Sequence, residues 1–225
     1  FEKQAMFTLM KIKDSCEPIS AKKKQLRKKI KIEIAEFIKN QELYEKLSIQ
    51  AQKHFLNTQA FLQSQNLFAF ISLKTEISTS LILHKALKLG KKVAVPKVIS
   101  ETQMEFFWLK NEMPLDMQLS SGSFGILEPV DFLEKVCEDS FLCSSNSMEN
   151  SACRPLMLLP ALAFSPDGFR LGKGKGYYDR YIAAHERLCF ELYGFCFSFQ
   201  LLPEIPHDSF DRKARHLITE NGLIF

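Results

Sequence analysis

Apolar residues near the start of the chain recur at the spacing of a helix. Between Ser20 and Ile38 they fall three or four residues apart, which predicts an amphipathic helix with Ser20 as its N-cap. A second helix is predicted over residues 41–56, with a short helical piece after it. The sequence therefore predicts an N-terminal helical pair.

From residue 67 onward, uninterrupted apolar runs alternate with helical patterns. A short run that is apolar on both faces is typical of a strand buried on both sides of a parallel sheet. Strands are predicted over residues 67–73, 93–96, 104–109, 156–164 and 192–197, with an edge strand over 218–225. Helices are predicted over residues 76–89 and 177–187. Residues 124–129 are predicted as a loop that leads into a short helix. This alternation favours an α/β fold with three layers, in which helices flank an open and largely parallel sheet.

The predicted elements fit one domain. A chain of 225 residues with 46% hydrophobic composition is long enough to bury one substantial core. We assign residues 20–225 to a single α/β domain and treat residues 1–19 as an N-terminal extension of unknown role. Within the domain, residues 137–153 are polar and rich in serine, and we predict that they form a surface insertion.

Positive charge is concentrated in the first predicted helix. The net charge of the chain is only +4, yet residues 22–31 contain seven Lys or Arg residues and no acid. Such a run is usually the solvated face of a helix, and its other interpretations are contact with phosphate or with nucleic acid.

The cysteine pattern and the length of the apolar runs narrow the class of protein. The six cysteines form no Cys-x-x-Cys motif, which is typical of reduced thiols and predicts a cytoplasmic location. The longest apolar runs are too short to span a bilayer, and the N-terminal residues lack the pattern of a signal peptide. We expect small-molecule ligands, no membrane or nucleic-acid partner, and a monomer.

The sequence that follows the strand predicted over 156–164 is unusually rich in glycine. Four of the nine glycines of the chain lie within residues 168–176, between that buried strand and the next helix. At such a junction the free backbone N–H groups and the positive helix end favour an anion. The interleaved cations Arg170, Lys173 and Lys175 would neutralise a phosphate chain, and Asp179 could hold a divalent metal. We interpret this segment as a phosphate-binding loop; the alternative is a flexible turn with incidental lysines.

The order of residues in the loop excludes the two commonest nucleotide-binding motifs. It is not a Walker A loop, which requires Gly-x-x-x-x-Gly-Lys followed by Ser or Thr, and its glycines do not follow the Gly-x-Gly-x-x-Gly pattern. The stretch Arg170-Leu-Gly-Lys-Gly-Lys-Gly-Tyr-Tyr-Asp179 instead resembles the signature of the 5-formyltetrahydrofolate cyclo-ligases. The resemblance extends over roughly residues 22–222. It implies ATP- and Mg²⁺-dependent closure of 5-formyltetrahydrofolate to 5,10-methenyltetrahydrofolate.

Two further segments resemble ligand-binding elements of this family. Lys23 and Arg27 resemble its N-terminal ATP-contacting element, and a spacing of four residues places both on one helix face. Ile71 and Glu76 resemble the strand and turn at which the family binds folate. Without the resemblance, Glu76 is equally typical of an acidic residue at the positive end of a helix.

The resemblance implies a set of contacts for each ligand. For ATP the set is Lys23, Arg27, Arg170, Leu171, Gly172, Lys173, Gly174, Lys175, Gly176, Tyr177 and Tyr178. For the folate substrate it is Ile71, Glu76, Lys173, Gly174, Lys175, Gly176 and Tyr177. Adjacent helical residues point in different directions, so we expect at most one of the two tyrosines to face the ligand and favour Tyr177.

The metal side of the predicted site has one ambiguous residue. The family places an aspartate after a histidine near the C-terminus, and this aspartate acts with the one that corresponds to Asp179. Here Asp208 follows His207 but lies too far from Thr219, whereas Asp211 has the expected spacing but follows Phe210. We favour Asp211 and keep Asp208 as the alternative.

The implied reaction begins when the formyl oxygen of the substrate attacks the γ-phosphate of ATP. The protein must align the reacting groups and stabilise negative charge, and Arg170 and Lys175 are the predicted catalytic cations. The rival enzyme class is a sugar-phosphate isomerase or a CoA-transferase-like protein, and the non-enzymatic rival is an RNA-binding module that uses the basic helix. A catalytically silent relative is a third alternative.

Overall fold

The computed structural model describes residues 17–122, 127–141 and 154–225. Its helices are α1 (Ile19–Phe37), α2 (Gln41–Leu56), α3 (Gln59–Gln63), α4 (Ser80–Lys88) and α5 (Tyr177–Ala184). Its strands are β1 (Asn66–Phe68), β2 (Lys92–Val98), β3 (Met104–Trp108), β4 (Leu119–Ser121), β5 (Leu127–Pro129), β6 (Leu156–Leu159), β7 (Ala163–Phe164), β8 (Arg170–Leu171), β9 (Glu191–Phe195), β10 (His216–Thr219) and β11 (Gly222–Leu223). Short 3₁₀ helices cover Leu115–Gln118, Glu138–Phe141, Glu186–Leu188 and Ser198–Gln200.

Seven strands form the central sheet in the order β11-β10-β9-β6-β1-β2-β3. The five inner strands pair in parallel, and only the two edge strands, β11 and β3, are antiparallel to their neighbours. The predicted α/β fold with a largely parallel sheet is confirmed. Two antiparallel pairs, β4-β5 and β7-β8, lie outside this sheet.

The inner strands are buried on both faces, as their apolar runs predict. In β6, Leu156 and Leu158 belong to one hydrophobic cluster, whereas Met157 and Leu159 belong to another. The first cluster includes residues of α2 and α4, and the second includes Tyr181 of α5. Successive side chains of a strand point to opposite faces, so helices pack on both sides of the sheet and three layers result.

The two N-terminal helices are both present but serve different parts of the core. Helix α2 packs on the sheet through Ala51 and Phe55, which are fully buried. Helix α1 places Ile30 and Ile34 in a third cluster with Leu171, whose strand belongs to the β7-β8 hairpin. Helix α1 therefore covers the hairpin that leads into the glycine-rich loop.

The segment after β1 departs from the sequence prediction. The predicted strand over 67–73 ends at Phe68, and the helix predicted from Glu76 begins only at Ser80. The intervening chain is fixed as a loop because the Thr79 hydroxyl donates to the Phe70 carbonyl at 2.7 Å. Gln52 of α2 accepts a hydrogen bond from the Leu81 backbone N–H at 2.8 Å and so satisfies the start of α4. Glu76 consequently lies in a loop, and its interpretation as a helix-terminal residue is wrong.

Several other element boundaries also differ from the prediction, and the edge strand predicted over 218–225 is a hairpin of β10 and β11. The run 156–164 is two strands rather than one, and its second part, β7, turns away to pair with β8. Helix α1 begins at Ile19 with Pro18 at the N-cap position, so the predicted cap by Ser20 is wrong. Residues 127–129 form strand β5 rather than the start of a helix. Residues 1–16 of the predicted extension and 142–153 of the predicted insertion lie outside the described residues.

Candidate active site

The loops predicted to bind ligands follow the carboxyl ends of parallel strands. The loop of Glu76 follows β1, that of Ser100 follows β2, and the hairpin with its glycine-rich loop follows β6. In open α/β sheets this edge is where ligands bind. The fold therefore brings together segments that lie as far apart in the sequence as residues 76 and 173.

A buried ion pair anchors the glycine-rich loop at both ends. Arg170 opens the loop on β8, is only 6% exposed, and donates through Nη2 to Asp179 Oδ1 at 2.7 Å. Asp179 lies in the first turn of α5, which closes the loop. The same two side chains hold the backbone of Arg212, because Arg170 Nη1 donates to its carbonyl at 2.7 Å and its N–H donates to Asp179 at 3.0 Å.

Burial shifts the proton affinity of the groups around this pair. Loss of solvent lowers the pKa of the Arg170 guanidinium, and the charge of Asp179 opposes that shift. Burial also raises the pKa of the Tyr178 hydroxyl, and the nearby carboxylate of Glu76 adds to the increase. The Tyr178 hydroxyl therefore keeps its proton at neutral pH.

The glycine at the end of the loop makes room for an arginine. Gly176 has a φ of +66°, and a Cβ on it would lie 2.8 Å from Arg180 Nη1. Arg180 reaches back past it to donate to the Lys175 carbonyl at 2.7 Å and to the Thr102 carbonyl at 2.8 Å. Arg180 thus fixes the shape of the loop. Its sequence signal, an arginine in the first turn after a glycine-rich loop, escaped the prediction.

One lysine of the loop contacts the predicted folate side of the site. Lys173 Nζ lies 2.6 Å from Glu76 Oε1, and the Glu76 side chain is only 11% exposed. The second oxygen of Glu76 accepts from the Leu73 N–H at 3.0 Å, and its backbone carbonyl accepts from the Tyr44 hydroxyl at 2.8 Å. Tyr44 is a further residue of the site that sequence reasoning missed.

The predicted ATP-contacting residues of α1 also lie at the loop. Arg27 Nε donates to the Gly172 carbonyl at 2.8 Å, which connects α1 directly to the loop. Lys23 Nζ contacts Asp211 Oδ2 at 2.5 Å and Asp208 Oδ2 at 3.2 Å. Both candidate metal-side aspartates therefore lie beside α1 and share one lysine.

The remaining loop residues differ in what they can offer a ligand. Among the residues that the structure describes, the exposed Lys175 ammonium has no hydrogen-bond or ion-pair partner. A Cβ on Gly172 would meet nothing within 4 Å, so this glycine borders open space. The Leu171 side chain is fully buried against α1, so only its backbone could contact ATP. Ile71 is partly buried at the rim of the first cluster, in the loop of Glu76.

The two tyrosines take different positions. The Tyr177 hydroxyl donates to the Ser100 carbonyl at 3.1 Å, and the Arg180 guanidinium lies 5.6 Å from its ring centre. The Tyr178 ring packs edge-on to Phe106. That Tyr177 rather than Tyr178 faces a ligand stays a prediction.

The aspartate carboxylates of the site suit a magnesium ion that also binds phosphate oxygens. The described residues contain no group of three or more His, Cys, Asp or Glu side chains that could hold a metal by themselves. Asp179 and Asp211 each use one carboxylate oxygen for the contacts given above, and their side chains are 23% and 18% exposed. Both carboxylate oxygens of Asp208 accept hydrogen bonds, one from Lys23 and the other from the Phe210 N–H. Mg²⁺ commonly takes one or two carboxylates together with phosphate oxygens, so Asp179 and Asp211 fit it better than Asp208.

Comparison with known proteins identifies the family. A sequence profile described as "5-formyltetrahydrofolate cyclo-ligase family" matches residues 19–220. The chain belongs to this family. A probable 5-formyltetrahydrofolate cyclo-ligase of Schizosaccharomyces pombe is 28% identical over 217 residues, which cover 92% of this chain and 98% of the relative. The 5-formyltetrahydrofolate cyclo-ligase of Mus musculus is 27% identical over 208 residues, which cover 91% of this chain and 96% of the mouse protein.

A solved structure agrees with this assignment. The NMR structure of the Aquifex aeolicus 5,10-methenyltetrahydrofolate synthetase has a TM-score of 0.69 and 27% identity, and the match covers 89% of this chain and 91% of the bacterial one. The predicted family and enzyme class, a cyclo-ligase, are confirmed. The isomerase or CoA-transferase-like alternative is not favoured. No helix within the described ranges combines the length and the apolar character that crossing a membrane requires.

The Arg170–Asp179 pair predicts a large loss of stability when its acid is removed. Asp179→Ala would leave a buried guanidinium without its carboxylate, and we expect the free energy of unfolding to fall by about 3 kcal/mol. Glu186→Ala is the matched control, because Glu186 also pairs with an arginine, Arg212 at 2.6 Å, but on an exposed surface. That control should change stability by less than about 1 kcal/mol. Urea unfolding measures both, and equal losses would contradict the anchoring role of Asp179.

Proposed function

We propose that this chain catalyses the ATP- and Mg²⁺-dependent cyclisation of 5-formyltetrahydrofolate to 5,10-methenyltetrahydrofolate, with release of ADP and phosphate. The observation that carries the proposal is the contact between Lys173 and Glu76, 2.6 Å long. The contact joins the glycine-rich loop to the loop of Glu76, which the family resemblance assigns to folate. Two ligands bound at these places would be neighbours, as transfer of a phosphoryl group between them requires.

In the proposed reaction the formyl oxygen of the substrate attacks the γ-phosphorus of ATP. The bond from that phosphorus to the bridging oxygen breaks, and its electron pair leaves with ADP. Nitrogen N10 then attacks the activated formyl carbon and loses its proton, and the former formyl oxygen departs as part of inorganic phosphate. Atoms and charges balance without a further reactant.

The protein's own contribution is alignment and charge stabilisation. Lys175 is the cation most available to the transferred phosphate, because the described structure gives its ammonium no other partner. Arg170 is held in place by Asp179 and contributes a fixed positive charge at the start of the loop. Fixed cations of this kind stabilise the spread negative charge of a phosphoryl-transfer transition state without having to reorganise.

Asp179 and Asp211 are the residues that would hold Mg²⁺ at the phosphates. When bound there, the ion would neutralise negative charge on the phosphates.

Within the proposed function, the first prediction concerns the catalytic activity of the protein. Mixing the protein with 5-formyltetrahydrofolate and Mg-ATP should produce the near-ultraviolet absorbance of methenyltetrahydrofolate, and omission of any component should abolish it. Lys175→Met should reduce turnover by about a hundredfold or more, because it removes a charge-stabilising donor from an exposed position. Lys28→Met, which removes an exposed lysine of α1, is the matched control and should leave turnover unchanged. Folded protein that binds ATP but forms no product would contradict the proposed function.

The second prediction separates the two candidate aspartates. Asp211→Asn should raise the Mg²⁺ concentration for half-maximal turnover by about tenfold or more, because it weakens a direct ligand. Asp208→Asn is the matched control, since it also removes a carboxylate contact of Lys23 but not the predicted metal ligand. Titration of turnover with Mg²⁺ at saturating ATP measures both variants. A larger effect of Asp208→Asn would reverse the assignment.

A further inference from the structure

The contact between Lys173 and Glu76 uses groups that both ligands need. Lys173 Nζ lies 2.6 Å from a carboxylate that the proposed function assigns to the folate substrate. A charge-assisted bond of this length is among the stronger hydrogen bonds in proteins. While it persists, the carboxylate oxygen is occupied and the ammonium cannot turn toward a phosphate.

The two partners differ in how firmly the structure holds them. Glu76 is fixed by Leu73 through its side chain and by Tyr44 through its backbone, and its side chain is mostly buried. The Lys173 side chain is 42% exposed and lies between two glycines, of which Gly174 has a φ of +103°. Lys173 is therefore the partner that can move, and Glu76 is the partner that stays.

We propose that Lys173 acts as an internal competitor of the folate substrate and that a bound nucleotide relieves this competition. The phosphates attract the Lys173 ammonium, which frees Glu76 to accept hydrogen bonds from the substrate. Conversely, a substrate that occupies Glu76 releases Lys173 toward the phosphates. The two ligands then bind with positive cooperativity, and the coupling factor is the same whichever ligand binds first. This inference rests on the proposed function and adds a positioning role for Lys173 to it.

The charge balance of the site supports this exchange. Within the described residues, Lys23, Arg27 and Arg170 already bond to protein acceptors, as Lys173 does, and Arg170 is held at a buried position. Lys173 differs from these three because its acceptor is a predicted substrate-binding group. Only at Lys173 does release of a cation for one ligand also open the binding group of the other.

Binding measurements test the competition directly. In Lys173→Met the competitor is gone, so 5-formyltetrahydrofolate should bind about fivefold more tightly or better without nucleotide, and a non-hydrolysable ATP analogue should no longer improve its binding. A lysine that merely contacted the substrate would give weaker binding instead. Lys175→Met is the matched control, because it removes a neighbouring loop lysine that does not contact Glu76 and should not tighten folate binding.

The reciprocal variant provides a second, independent measurement. Glu76→Gln keeps an acceptor for the Leu73 N–H but removes the charge that holds Lys173, so the ATP analogue alone should bind severalfold more tightly than to the unmodified chain. Calorimetric titration measures both affinities, and thermal unfolding checks that each variant is folded. Weaker folate binding by Lys173→Met, or unchanged nucleotide binding by Glu76→Gln, would overturn the inference. If the variants give either of these contradicting results but the unmodified chain still turns over substrate, only the inference fails and the proposed function stands. If the unmodified chain does not bind 5-formyltetrahydrofolate, the proposed function itself is rejected.

Discussion

The buried pair of Arg170 and Asp179 is the interaction on which the site depends. Arg170 lies on the hairpin that follows the central strand β6, Asp179 lies in α5, and both hold the backbone of Arg212 in the segment before β10. Three separate parts of the chain are therefore fixed at one point. A buried charge without a partner is costly, so the arrangement is satisfied only when all three parts are in place. Because Arg170 and Asp179 fix its two ends, the glycine-rich loop between them is held in a defined position.

The positive charges around this pair are balanced largely by acceptors of the protein itself. Most cations near the loop already bond to carboxylates or carbonyls of the protein: Lys23 to two aspartates, Arg27 to the Gly172 carbonyl and Lys173 to Glu76. Mutual repulsion of these cations is thereby reduced. In the proposed function, phosphate oxygens would replace these protein acceptors, which favours a loop whose lysines are exposed and whose arginines are fixed.

Much of this arrangement could be predicted from local sequence. The apolar runs of β1 and β6 indicate strands buried on both faces, and the alternating glycines and lysines indicate a phosphate loop at a strand-to-helix junction. What could not be predicted depends on contacts between distant residues. Helix α4 begins later than predicted because Gln52, on another helix, accepts a hydrogen bond from a backbone N–H of its first turn. Similarly, the carboxylates that contact Lys23 lie 185 and 188 residues away in the sequence.

The choice between adjacent residues was also beyond the sequence. Tyr177 and Tyr178 carry the same side chain, and only the fold shows that the Tyr177 hydroxyl contacts the Ser100 carbonyl. The Arg180 guanidinium bonds to backbone carbonyls and the Arg212 carbonyl accepts from Arg170, so the sequence shows these arginines but not the partners they contact. The sequence pattern therefore predicts where the ligands bind, whereas the contacts between the residues there follow only from the fold.

The central claim is that this fold places the formyl oxygen of the substrate against the γ-phosphate of ATP. Substrate that carries a heavy oxygen isotope in its formyl group tests that claim most directly. If the formyl oxygen attacks phosphorus, the isotope will be found in the inorganic phosphate released together with ADP. Unlabelled phosphate formed along with the methenyl product would contradict the claim, because the oxygen would then have left without ever bonding to phosphorus.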